Sequence, residues 1–126
     1  MELITDDIRK RLLRNGEVRK SFAEGCFGED GEQRPEPDFY PVVKFFTPDG
    51  GATWLITELD PDDPDIAFGL CDLGLGFPEL GSVSIAEPES VRDKLGLPVE
   101  RDLHFTAQKT LSAYADEARR LGRINA

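Results

Sequence analysis

The sequence feature that most constrains the fold is a pair of β-forming segments joined by a strong turn signal. Residues 42–47 (VVKFFT) and 52–59 (ATWLITEL) are rich in β-branched and aromatic side chains. Residues 48–51 (PDGG) have the composition of a tight turn between two strands. The pattern predicts an antiparallel hairpin near the middle of the chain.

Three later segments extend this hairpin into a sheet. Residues 66–71 (IAFGLC) follow an acidic turn at 60–65 (DPDDPD), and residues 80–85 (LGSVSI) alternate in character. Residues 99–105 supply a short fifth strand. We therefore expect an antiparallel sheet of about five strands, in which the glycines of GLCDLGLGFPELG mark bends or bulges.

Three helices are predicted around the sheet. Thr5 suits an N-cap, and apolar residues at helical spacing indicate a first helix over about 5–15 that ends at Gly16. A short helix is predicted near 88–95, and a C-terminal helix near 107–121 has an alanine-rich stripe. Together the elements predict a single α+β domain over 1–126, with helices on one face or end of the sheet.

The charge is unevenly distributed along the chain. Lys and Arg number 15 and Asp and Glu number 25, for a net charge of -10. Only 2 of the basic residues but 16 of the acidic ones lie between residues 24 and 91. The net charge disfavours direct nucleic-acid binding. Residues 24–41 predict a flexible acidic loop. The acidic residues in this loop and at 60–65 indicate either solvated loops or a surface that binds a basic partner.

Other sequence signals narrow the class of protein. The longest apolar stretches are far shorter than a spanning helix needs, and the first ten residues (MELITDDIRK) lack the apolar region of a signal peptide. We therefore expect a cytoplasmic protein without membrane contact. Cys26 and Cys71 provide neither a disulfide framework nor zinc spacing. Neither an activated nucleophile nor a phosphate loop is indicated, so we expect no cofactor.

One strand carries the most suggestive chemical pattern. In residues 99–105, period-two alternation would place Glu100, Asp102 and His104 on one face, where they could hold a divalent cation. The alternative interpretation is the polar face of an amphipathic strand. The tryptophan at position 54, the only one in the chain, is interpreted as core packing or as a platform for a ligand.

Several blocks of the sequence resemble the bacterial family known as domain of unknown function 2958. They are 43–48 (VKFFTP), 53–60 (TWLITELD), 68–70 (FGL), 78–81 (PELG) and 96–105 (GLPVERDLHF), within a similarity that runs from about Leu3 to Ser112. The resemblance implies a small cytoplasmic bacterial protein, often encoded near mobile elements, without an assigned activity. The acidic segment 25–41 is not part of the shared pattern, and other members can carry an aromatic residue in place of His104.

The resemblance selects a candidate binding or functional cluster of polar positions within the shared blocks, together with the tryptophan between them. These residues are Trp54, Glu58, Asp60, Glu79, Glu100, Arg101 and Asp102. If His104 is not shared, a metal site that needs it is not the common function of the family.

Three hypotheses on function follow. The first is a non-catalytic binding or regulatory module in a mobile-element setting that engages a basic protein. A more specific form is a DNA-mimic inhibitor of a defence protein. The competing class is a metal-dependent hydrolase or nuclease-like enzyme that uses the carboxylate cluster. The lack of a catalytic set favours the first hypothesis, and the sequence leaves the oligomeric state open.

Overall fold

The structure is a computed structural model that describes residues 1–25 and 36–126. It consists of eight elements in chain order: α1 (Asp6–Ala23), β1 (Val43–Phe46), β2 (Thr53–Asp60), β3 (Asp63–Asp72), β4 (Glu79–Ser84), α2 (Ala86–Ser90), β5 (Glu100–Arg101) and α3 (Leu111–Leu121). The strands form a five-stranded sheet in the order β4-β3-β2-β1-β5, and every pair is antiparallel. The predicted α+β fold is confirmed.

The first four strands form a meander, and β5 then pairs with the outer side of β1. The long β2–β3 hairpin lies at the centre, where Trp54 is paired with Phe45 on one side and with Cys71 on the other. The two edges of the sheet are therefore β4 and β5.

Helices cover both faces of the sheet. Trp54 and Ile56 belong to a core cluster with Leu12 of α1, whereas Leu55 packs in a second cluster with Tyr114 of α3. Successive residues of a strand point to opposite faces, so the two clusters lie on opposite sides. The expectation that the helices share one face or end is wrong. β2 is buried continuously over residues 54–59, as expected for a strand that is covered on both faces.

The first helix is longer than the sequence predicted. The Thr5 side chain caps it as expected, because its Oγ1 accepts a hydrogen bond from the Ile8 amide at 3.4 Å. Gly16 does not end the helix. A Cβ at this position would lie 1.9 Å from the carbonyl oxygen of Leu59. This glycine allows α1 to approach the backbone of β2, where Asn15 also donates from Nδ2 to the Thr57 carbonyl at 2.8 Å.

The other helix and strand boundaries also differ locally from the predicted ones. The short helix covers 86–90 rather than 88–95, because Asp93 accepts hydrogen bonds from the amides of Leu95 and Leu97 and folds that segment as a turn. The C-terminal helix begins at Leu111, four residues after its predicted start. The fifth strand has two residues instead of the predicted seven.

The predicted flexible loop at 24–41 lies largely outside the described residues, which resume at 36. The end of this segment contacts the first turn of α3. The Ser112 amide donates to Asp38 Oδ1 at 3.1 Å, and the Leu111 amide donates to the Phe39 carbonyl at 2.8 Å. None of the helices in residues 1–25 and 36–126 is long and apolar enough to cross a membrane.

Candidate functional site

Glu58 is a buried carboxylate at the centre of the sheet, with 4% of its surface exposed. A register shift in β2 between Ile56 and Glu58 places Thr57 in a bulge. The bulge sets Glu58 opposite Phe68, on the α3 side of the sheet, while Leu59 remains in the core beneath α1. The register shift therefore turns a charged side chain towards a partly open part of the sheet.

Arg19 of α1 is the partner of this carboxylate. Its Nε donates to both carboxylate oxygens of Glu58 at 2.8 Å. The guanidinium carbon lies 5.2 Å from the ring centroid of Phe68 and 5.8 Å from that of Phe39, within the range of cation–π attraction. One Nη donates to the Pro37 carbonyl at 3.1 Å. Arg19 thus connects α1, the sheet and the segment before β1.

The electrostatics of Glu58 follow from these contacts. Burial raises the pKa of its carboxyl group above the ordinary value, while the hydrogen bonds and the charge of Arg19 act in the opposite direction, as does Thr57. The carboxylate already binds an arginine, so its main role in this geometry is to orient that arginine. This pair is a structural junction beside which a ligand could bind.

Two cavities lie on either side of the Arg19–Phe68 contact. One, of about 270 Å³, is lined by residues of α1 and of the β2–β3 hairpin, including Lys20, Asp60 and Ile66. The other, of about 340 Å³, lies towards the N-terminus of α3. Both are lined by Arg19 and Phe68. Both are open clefts rather than closed chambers.

The turn end of the β2–β3 hairpin carries four exposed aspartates, which we call the acidic turn: Asp60, Asp62, Asp63 and Asp65. The turn itself is shorter than the predicted 60–65, because β3 already begins at Asp63. Lys20 of α1 contacts this turn, and its Nζ lies 3.0 Å from Asp62 Oδ1. The pKa of Lys20 is raised, first by the hydrogen bond and charge of Asp62 and then by Glu24 and Glu17. One lysine therefore lies within a larger group of carboxylates.

The negative charge extends from the acidic turn through the following elements. Residues 45–91 contain ten acidic residues and neither a lysine nor an arginine. This range includes β2, β3, β4 and α2. A surface built from these elements must take its basic residues from other parts of the chain, such as Arg19 and Lys20.

Trp54 and Glu79 lie near a third cavity, on the α1 side of the sheet. Trp54 is fully buried, as predicted for core packing, and its indole Nε1 has no oxygen or nitrogen partner in the described ranges. It contacts the sulfur of Cys71, a weak acceptor. Burial raises the pKa of Cys71 to about 11, with further contributions from Glu87, Asp72 and Glu79. This cavity, of about 200 Å³, is lined by Trp54, Cys71, Glu79 and Glu87.

The other candidate residues lie at the far edge of the sheet. Glu79 in β4 and Arg101 in β5 belong to the same row of paired residues, but four strand spacings, about 19 Å, separate these edges. Glu79 is also distant from Glu58. The residue of β4 in the same row as Glu58 is Ser82, and Glu79 lies three residues, about 10 Å, from Ser82 along β4. The structure does not bring the seven residues of the predicted cluster together.

Arg101 and Asp102 make contacts within the fold. The Arg101 Nη1 donates to the carbonyls of Glu2 and Leu3 and holds the N-terminal segment against the sheet. Asp102 lies 3.5 Å from the Lys44 Nζ, and its Oδ1 accepts from the His104 amide at 2.9 Å. Asp60 similarly accepts from the Asp62 amide at 2.9 Å within its own turn. These contacts explain three of the candidate positions by local geometry.

The proposed alternation of Glu100, Asp102 and His104 does not occur. β5 ends at Arg101, and a turn follows in which the Asp102 carboxylate binds the backbone of His104. The predicted strand over 99–105 is therefore wrong beyond its first residues, because β1 offers it only a short edge for pairing. Among the residues in the described ranges, no group of three His, Cys, Asp or Glu side chains forms a candidate metal site.

Three residues of the Arg19 junction, Arg19, Phe39 and Phe68, are not among the predicted site residues. Arg19 lies beyond the predicted end of α1 and Phe39 lies in the predicted loop. Phe68 belongs to a predicted strand, and the sequence indicates no role for it. The available signal was the helical continuation past Gly16, which would have placed Arg19 one turn after Asn15.

The fold and the site define an α+β protein with a five-stranded antiparallel sheet, an acidic turn and an arginine–glutamate pair whose carboxylate is buried. A family model described as protein of unknown function (DUF2958) matches residues 3–125, and the chain belongs to this family. No curated protein and no solved structure matches the chain.

Proposed function

We propose that this protein is a non-catalytic binding module that engages a basic protein through its acidic turn. The observation that carries the proposal is the exposure of all four aspartates of that turn beside a single lysine, Lys20. The segment that includes the turn, residues 45–91, contains neither a lysine nor an arginine that would reduce the negative potential. Such a field accelerates association with a positively charged surface and disfavours acidic competitors.

The cavity next to the acidic turn supports a contact with side chains of the partner. Its apolar wall includes Ile66 and Phe68, and Asp60 lies at the same cavity. A lysine or arginine could bury its aliphatic stem against this wall and keep its charged end near the carboxylates. A regulatory role towards a basic, nucleic-acid-binding protein would agree with the mobile-element setting that the family resemblance implies.

The experiment compares three baits in a pull-down from bacterial lysate. The first is the native protein, and the second carries Asp60→Asn, Asp62→Asn, Asp63→Asn and Asp65→Asn. The matched control removes the same charge from exposed acids elsewhere, with Glu2→Gln, Asp7→Asn, Asp49→Asn and Asp116→Asn. Asparagine keeps the acceptor oxygen that Asp60 offers to the Asp62 amide, so the turn should persist.

We expect basic proteins to be captured by the native protein and by the control but not by the acidic-turn variant. Rising salt should weaken the capture, since exposed charges are screened within a Debye length of about 8 Å at physiological ionic strength. Equal capture by all three baits would overturn the proposal.

A further inference from the structure

The outer edge of β4 offers backbone groups that have no partner among the described residues. The Ile85 amide donates to the Asp65 carbonyl, and in an antiparallel pair the residues that bond to the neighbouring strand alternate. The backbone groups of Val83, Gly81 and Glu79 therefore face β3. Those of Leu80, Ser82 and Ser84 face away from the sheet, so β4 can accept another strand.

This edge lacks the usual protection against strand addition. Proteins often protect an edge strand with lysine, proline or a bulge. β4 (ELGSVS) contains neither lysine nor proline, its register with β3 is regular over six residues, and its one charged residue, Glu79, lies at its first position. The edge on β5 is different, because it has only two residues.

A cavity opens on the α1 side of β4 because two glycines are paired there. Gly81 is paired with Gly69, so neither strand places a side chain over this position. A Cβ added to Gly81 would meet no atom within 4 Å, which shows open space above it. Trp54, Ile56 and Val83 line the resulting cavity of about 200 Å³.

The charged side chains that line this cavity are both carboxylates. Glu79 from β4 and Glu87 from α2 both line it, and both act on the nearby Cys71 thiol. The base-free segment 45–91 supplies all of the lining residues. An apolar wall with carboxylates complements the stem and the charged end of lysine or arginine.

We propose that an extended basic segment of a partner protein pairs with the outer edge of β4 and places one lysine or arginine side chain in the cavity above Gly81. The inference rests on the proposed function and specifies how the basic partner is held. The backbone groups of Leu80, Ser82 and Ser84 give sequence-independent hydrogen bonds, and Glu79 and Glu87 select a cationic side chain.

The probe for this proposal is a fluorescein-labelled peptide of alternating threonine and lysine, measured by fluorescence anisotropy. A second peptide of identical charge carries N-methyl groups on alternate residues, which removes the donors needed for strand pairing. A third replaces lysine with glutamate. We expect binding of the first peptide and at least about tenfold weaker binding of the other two, which corresponds to about 1.4 kcal/mol.

Three variants of the protein locate the site. Ser82→Pro removes an outward amide without removing a bond to β3, as proline is tolerated on an edge strand. Gly81→Val fills the cavity, and Glu79→Gln with Glu87→Gln removes its charge. We expect each variant to bind the first peptide at least about tenfold more weakly than the native protein does. Ser82→Ala keeps the amide and should bind as the native protein does. Circular dichroism and thermal unfolding confirm that each variant is folded.

The outcomes separate this inference from the proposed function. In one outcome, the plain and the N-methylated peptides both bind, Ser82→Pro and Gly81→Val leave this binding unchanged, and the acidic-turn variant abolishes it. This outcome would overturn strand addition and leave the proposed function intact. Failure of the basic peptide to bind, together with equal capture by the three lysate baits, would overturn both. Self-association that is lost in Ser82→Pro and unaffected by the peptide would assign the edge to a second copy and overturn the inference.

Discussion

The Nε of Arg19 lies 2.8 Å from each carboxylate oxygen of Glu58 and ties α1 to the bulged part of β2. The two residues are 39 positions apart in sequence. Glu58 is almost fully buried, whereas the Arg19 side chain is 27% exposed. The pair is therefore asymmetric, because loss of the arginine leaves a buried carboxylate while loss of the glutamate leaves a cation close to water.

The first prediction concerns this asymmetry. Removing one partner of a fully buried ion pair lowers the free energy of unfolding by roughly 3–5 kcal/mol. Because Arg19 is partly exposed, we expect Arg19→Ala to lower it by about 2–3 kcal/mol. Urea unfolding measures the change. Arg14→Ala, at an exposed position of the same helix, is the control and should stay within about 0.5 kcal/mol of the native protein. Equal midpoints for both variants would contradict the prediction.

The second prediction gives the pH dependence of the same variant. Burial raises the pKa of Glu58 above 4.5, and Arg19 opposes this rise. A carboxyl whose pKa is raised in the folded state contributes its stability below its unfolded pKa and loses it as pH rises through the folded pKa. The stability deficit of Arg19→Ala should therefore be smaller near about pH 4 than at neutral pH. Adding Glu58→Gln to Arg19→Ala should remove this pH dependence. A stability deficit of Arg19→Ala that grows in acid would refute the prediction.

The third prediction concerns the contact of Gly16 with the carbonyl of Leu59. Alanine at position 16 gains about 1 kcal/mol of helix propensity but forces a Cβ into a space only 1.9 Å from that oxygen. We expect overpacking to prevail and to lower the free energy of unfolding by about 1–3 kcal/mol. Gly81→Ala is the matched control, since its Cβ would meet no atom within 4 Å, and thermal unfolding compares the two. A more stable Gly16→Ala protein would show that α1 can move away from β2.

The fourth prediction assigns a structural role to Arg101. Its guanidinium donates to the carbonyls of Glu2 and Leu3. Arg101→Gln should raise amide hydrogen exchange at Leu3 and Ile4, while global stability falls by no more than about 1 kcal/mol. Arg123→Gln, an exposed change near the C-terminus, serves as the control. Unchanged exchange at the N-terminal segment would contradict this structural role of Arg101.

The fifth prediction concerns thiol reactivity. The pKa of Cys71 is raised to about 11, mainly by burial, so at pH 8 only about one thiol in a thousand is ionised. In a Cys26→Ser background, alkylation by iodoacetamide should be slow in the native protein and should accelerate on addition of urea. Glu79→Gln with Glu87→Gln should increase the native rate only modestly, because burial remains the larger cause. Rapid alkylation of the native protein would contradict this assignment.

Local sequence patterns were sufficient for the strands of the meander. Residues 42–59 combine β-forming side chains with a turn signal, and they fold as β1 and β2 within one residue of the predicted bounds. Each of these strands pairs with the strand next to it in the sequence, so local sequence patterns are sufficient to predict it.

The helix boundaries and the site are harder to predict from the sequence, because glycine has more than one structural role. The sequence predicts a helix end at Gly16, but this glycine permits close packing instead. The sequence predicts bends or bulges at Gly69 and Gly81, but these two glycines pair with each other in regular register. The exposed acids of the acidic turn could be found from the sequence. Arg19 could not be assigned to Glu58, because a one-residue bulge decides which face of β2 carries that carboxylate.

The sequence by itself determined the α+β class, the antiparallel meander and the concentration of negative charge between residues 24 and 91. These properties depend on composition and on contacts between neighbouring segments. Only the tertiary structure decided that helices cover both faces, that Arg19 meets Glu58, and that Glu79 and Arg101 lie on opposite edges. The physical reason is that strand order, bulges and helix packing join residues distant along the chain, and period-two or period-3.6 patterns carry no information about those distances.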